Sequence, residues 1–130
     1  MSKLTDLLNV VVTTLQESPV CQTTRTLETQ QFSDDQFSLK VRSEIVDKSD
    51  LQVRLYQNNE HTDYAYQWFR GEQHLARWDN KEHFPEISTQ PHHFHNADGK
   101  VESSQMTGAP SHDLPIVLDH IATRIKQPPE

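Results

Sequence analysis

Residues 77–96, "RWDNKEHFPEISTQPHHFHN", hold four of the chain's eight histidines. If Pro91–His95 runs as a strand, its side chains alternate, so His93 and His95 share one face while His92 and Phe94 take the other. A His-x-His pair of this kind can reach a single ion, with His83 or Asp79 adding further donors for a divalent transition metal such as zinc, nickel or iron. No Cys-x-x-Cys and no His-Glu-x-x-His accompanies it, so the spacing alone is unspecific for metal. The same residues allow a metal-independent site. His93 or His95 would move a proton, Arg77 would stabilise a developing oxyanion or phosphorane, and Asp79 would orient the imidazole, which is the logic of RNA cleavage without a metal. The ordinary alternative is a structural Arg77–Asp79 pair on one strand face with solvated histidines around it.

Other residues weigh less. Tyr64, Tyr66 and Trp68 form a same-face aromatic row. Such a row is most often core, more rarely a base-stacking platform; Trp68 reads as core and Tyr66 stays open. Asn80 reads as a turn former. Cys21 is the single cysteine, which excludes an internal disulfide and suits a reducing compartment; it reads as a buried or idle thiol.

The elements that must position these residues follow from hydrophobic period. Leu4, Leu7, Leu8, Val11, Val12 and Leu15 recur at helical spacing and stop at Ser18-Pro19. Leu114, Val117, Leu118, Ile121 and Ile125 repeat the pattern near the end, with Asp113 expected as N-cap, Pro115 in the first turn, and Pro128-Pro129 as the stop. Between the helices the period becomes two: Phe37, Leu39, Val41 and Ile45, then Leu51, Val53 and Leu55, alternate with polar residues. Residues 20–32 read as a further, polar strand. "TDYAYQWFRG" and "EQHLARWDN" flank a short hairpin connection at residues 71–73, and "PHHFH" and "KVESSQM" flank an Asn96–Gly99 turn. Residues 80–90 read as irregular. The expectation is one α+β domain over residues 1–130, a twisted antiparallel sheet of about six strands flanked by an N-terminal and a C-terminal helix.

Composition limits the function classes. The chain has 130 residues and a net charge of −7, with a pI near 5.5, the wrong sign for holding nucleic acid by bulk electrostatics. No basic stripe is visible along residues 70–100. Only three glycines occur, too few for a phosphate-cradling loop, and the apolar run "LLNVVV" is too short to span a bilayer. The chain is therefore expected to be cytoplasmic, with no membrane partner. A hydrophobic fraction of 33% implies a thin core and makes a homodimer an open expectation.

"YAYQWF", "ARWDN", "HFPE" and "PHHFH" together resemble the TumE-like family, predicted toxin components of prokaryotic toxin–antitoxin systems. The resemblance covers about residues 60–97. It singles out Tyr64, Tyr66, Arg77, Asp79, Asn80, His83, Pro85, Pro91, His92, His93 and His95. Trp78 stands where tyrosine is expected, Lys81-Glu82 replaces a small residue and proline, and Phe84 replaces a common second histidine. The resemblance implies a toxin with a cognate antitoxin, its activity pictured as RNA cleavage; joined to the residue reading above, this gives a metal-independent ribonuclease acting on RNA. In that reading His93, His95, Arg77 and Asp79 are catalytic, Tyr66 and His92 contact substrate, and no cofactor is needed. The alternative is a non-enzymatic protein-interaction module with a divalent transition metal on His83, His93 and His95.

Overall fold

The computed structural model describes residues 2–81 and 86–126. Helix α1 (Lys3–Gln16) is followed by strands β1 (Cys21–Ser33), β2 (Gln36–Ile45), β3 (Asp50–Asn58), β4 (His61–Arg70), β5 (Gln73–Asp79), β6 (His93–His95) and β7 (Val101–Ser103), then helix α2 (Pro110–Ile125). The strands form one antiparallel sheet whose spatial order is their order in sequence. It is an open meander, with β1 and β7 at its two edges, one strand more than expected.

Alternation divides the sheet into two unlike faces. Leu39, Val41, Leu51, Val53, Leu55, Tyr66, Trp68 and Trp78 point to one side, where they join Val11 and Leu15 of α1 and Leu114, Val117 and Ile121 of α2 in one buried cluster. Each such aliphatic burial contributes about 1.5–3 kcal/mol, so removing one side chain from the middle of the layer, as in Leu55→Ala, would cost about 2–5 kcal/mol. The intervening residues, Lys40, Arg42, Gln52, Arg54, Gln67 and Arg77, point to the other side, which neither helix covers.

The helix ends show two local solutions. Ser2 caps α1 by accepting the Thr5 N–H at 3.1 Å. The expected Asp113 cap of α2 is corrected: the helix starts at Pro110 with Ala109 as N-cap. Asp113 lies inside the first turn, fully buried, and reaches back to accept N–H groups of Thr107 at 2.9 Å and Gly108 at 2.8 Å. Its carboxylate also accepts the Tyr66 hydroxyl at 3.0 Å, which ties α2 to the centre of β4. Gly108, at φ +93°, makes the backbone turn that brings its N–H to this carboxylate.

Candidate functional site

Strand register assembles the cluster. Arg77 pairs with His95 and Asp79 with His93 across β5 and β6, and cross-strand partners put their side chains on the same face. That face is the one without helices. Asp79 and His93 are nevertheless almost wholly buried, at 2% and 1% exposed, whereas Arg77 and His95 keep part of their surface in solvent.

Asp79 is the hub. Oδ1 lies 2.6 Å from Nε2 of His93 and accepts the Lys81 N–H at 3.1 Å. Oδ2 accepts Nε–H of Arg77 at 2.7 Å and sits 3.5 Å from Nε2 of His95. The other nitrogen of His93, Nδ1, faces the carbonyl of Pro91 at 2.9 Å. Both His93 nitrogens thus face acceptors, so a proton must lie between His93 and Asp79 in addition to the one given to Pro91. His93 holds the carboxylate in place, and His95, with its ring 5.1 Å away centre to centre, is the imidazole that solvent or a ligand can reach.

Burial lowers the pKa of His95 from its usual value; His93, Arg77 and His74 add to the lowering, and Asp79 opposes it. His95 is therefore held neutral at pH 7, the form a general base needs.

His74 belongs to this surroundings and was not singled out by sequence. Counting by twos from Arg77 puts it on the helix side. A bulge in β5 changes the count: Trp68 pairs with Ala76 but Phe69 pairs with His74, leaving Leu75 extra. His74 thereby joins the open face, its Nε2 2.8 Å from the Asn96 carbonyl.

The other expected site residues lie elsewhere. Tyr66 is wholly buried among the helix-side residues, stacked on Tyr64 with ring centres 4.9 Å apart. It has no exposed surface on which a base could stack. His92 also lies on the helix side, with Nδ1 2.8 Å from the Tyr64 hydroxyl, beside a cavity of about 610 Å³ at the start of α2. Burial pushes its pKa down. Asn80 accepts the Tyr64 N–H at 3.1 Å and donates to the Thr62 carbonyl at 2.7 Å, tying β4 to the end of β5. His83, an expected metal ligand, lies outside the described residues.

Among the described residues the donor group that could hold a metal is Asp79, His93 and His95, whose ligand atoms lie within 4.8 Å of one another. The fit is poor. Both oxygens of Asp79 already accept protein N–H groups, and one of those is a guanidinium that repels a second cation.

The fold is an open antiparallel α+β sheet with helices on one side and a carboxylate-anchored Arg/His cluster on the other. The family model for the toxin TumE matches residues 11–125, and the chain belongs to that toxin family. No curated protein and no solved structure matches it. Membership in a toxin family suggests an antitoxin as partner. Among the described residues no helix is long and apolar enough to cross a membrane.

Proposed function

We propose that this toxin is a metal-independent ribonuclease whose active site is the Arg77–Asp79–His93–His95 cluster. The observation that carries the reading is the position of His95. It is a neutral, partly exposed imidazole held beside a guanidinium by one buried carboxylate. His95 takes the proton of a ribose 2′-hydroxyl, the 2′-oxygen attacks the adjacent phosphorus, and the bond to the 5′-oxygen breaks. The leaving oxygen receives a proton from water or from the imidazolium just formed. Arg77 stabilises the extra charge on the phosphorane. Asp79 fixes both groups, and His93 fixes Asp79. The products are a 2′,3′-cyclic phosphate and a free 5′-hydroxyl.

Expression in bacteria without antitoxin tests this. Growth should arrest and RNA should be cut into fragments with cyclic phosphate ends, by purified protein in EDTA as well as in cells. His95→Gln and Arg77→Gln should abolish both effects while keeping the native circular dichroism spectrum. A folded His95→Gln protein that cleaves RNA at the wild-type rate would remove the proposal.

A further inference from the structure

We propose that the helix-free face of the sheet is a binding track for single-stranded RNA that leads into the Arg77–His95 site. The choice of RNA rests on the ribonuclease reading; the track itself rests on register. Following partners across the sheet, Arg25 of β1 pairs with Arg42, Arg42 with Gln52, Gln52 with Gln67, Gln67 with Arg77, and Arg77 with His95. Six strands therefore contribute one straight transverse row of three guanidiniums, two amides and an imidazole, without a single carboxylate. At the usual strand separation this row spans about 24 Å. The adjoining rows carry carboxylates, Glu44 with Asp50 on one flank, and Glu28 and Asp79 on the other, where Lys40 and Arg54 stand between them and Lys40 lies 3.6 Å from Glu28.

This arrangement explains how an acidic chain can hold a polyanion. The cations come from β1, β2 and β5, far apart in sequence, so no linear stretch looks basic; only pairing brings them into line. On the Glu44–Asp50 flank the acids limit the favourable potential to the row, whereas on the other flank Glu28 and Asp79 are balanced by Lys40 and Arg54. A single strand of RNA, with one charge per nucleotide, matches a single row of cations, whereas one of a duplex's two backbones would face the Glu44–Asp50 flank.

Arg42 is the central element of the track. It lines two open-face cavities, one of about 330 Å³ between Arg25 and the carboxylates Glu44 and Asp50, and one of about 410 Å³ with Gln52, Gln67, Phe69, Glu72 and His74. Its Nη2 donates to Gln52 Oε1 at 2.6 Å, and its guanidinium lies over the Phe69 ring at 5.5 Å. Nε of Arg42 is buried with no hydrogen-bond partner, the one such side-chain atom among the described residues. A guanidinium held in place by an amide and an aromatic ring is suited to a phosphate. Phe69, half-buried beside it, offers a face on which a base can stack.

The test is fluorescence anisotropy with a labelled single-stranded oligonucleotide carrying 2′-O-methyl riboses, which cannot be cleaved, so binding is read apart from catalysis. The intact protein should bind it, with log K falling against log salt with a slope of about −2, as expected for three phosphate contacts on a single strand. Arg42→Gln and Arg25→Gln should each weaken binding at low salt and make the slope shallower by about 0.7, while Lys100→Gln, in the Asn96–Gly99 turn region away from the row, should leave both unchanged. Arg25 is exposed on an edge strand, so its variant reads the track even if Arg42→Gln does not fold. Absence of oligonucleotide binding at low salt, or a slope that neither arginine variant alters, overturns the track. Tighter binding of duplex than of single strand overturns it too. Binding that depends on both arginines, in a protein that cuts no RNA, supports the track and removes the ribonuclease reading alone.

Discussion

Asp79 and His93 face each other across β5 and β6, carboxylate oxygen to imidazole nitrogen at 2.6 Å, both buried. On the face of a sheet that no helix covers, a buried charged pair is an unusual expenditure of stability, because desolvating either group costs several kcal/mol unless the partner is in place. The pair is held from behind by the Pro91 carbonyl and the Lys81 N–H, so it acts as a fixed base for the two side chains in front of it, Arg77 and His95.

Asp79→Asn should therefore be costly to the fold. It keeps the shape but removes the charge that His93 faces, and breaking a buried pair from one side costs about 3–5 kcal/mol. Arg77 is partly solvated, so its share of that loss is small. Urea denaturation should show the midpoint falling by the corresponding amount; an unchanged midpoint would mean that the pair does not hold the site.

His95→Gln should separate function from stability. His95 is partly exposed and 3.5 Å from Asp79, so its replacement should change stability by only about 0.5 kcal/mol while abolishing toxicity. His93→Gln should do the reverse in order, losing stability first, because His93 is buried and has acceptors at both nitrogens. Thermal melts beside growth assays measure the contrast.

The contrast between His93 and His95 also marks where sequence reading ends. Alternation placed His93 with His95 on one strand face and Arg77 with Asp79 on another, the antiparallel order followed from short connections, and the β5–β6 register brought the two pairs together. Burial did not follow, since period two says which side a residue faces and not how deeply the neighbouring loop and strands enclose it. Tyr66 shows the same limit: its type allowed a stacking platform, but the carboxylate that fixes it comes from Asp113, 47 residues away. His74 was hidden by a one-residue bulge that reverses the parity of β5 before Ala76. The cationic row was hidden because its members are contributed by separate strands.

Tyr66→Phe and Asp113→Ala test the tie between sheet and helix. Tyr66→Phe removes one donor from a carboxylate that still accepts from Thr107, Gly108 and His112, and should cost about 1 kcal/mol. Asp113→Ala leaves the buried tyrosine hydroxyl and two backbone N–H groups without a partner, and should cost about 3 kcal/mol or more, at about 1–3 kcal/mol for each unsatisfied group. Equal losses in chemical denaturation would show that Asp113 does not organise this end of α2.

Acid should weaken the protein before it silences the proposed base. Burial is the largest cause of a lowered pKa at His92, His95 and His120, with Arg124 adding to the effect at His120. In the unfolded chain these histidines return to about 6.5. Above that value both states leave them neutral and they contribute nothing to the pH dependence of stability. As pH falls through 6.5 the unfolded chain takes up protons that the folded chain refuses, so stability declines until the folded histidines titrate as well. The acid limb of RNA cleavage, set by His95 in the folded protein, should accordingly have its midpoint below 6.5. Arg77→Gln removes a cation that opposes protonation of His95, so the His95 ring signals in an NMR titration should shift their midpoint upward in that variant. A midpoint at or above 6.5 in the wild-type protein would show that His95 is solvated rather than held neutral by its surroundings, and would leave the cluster without a base poised for proton transfer.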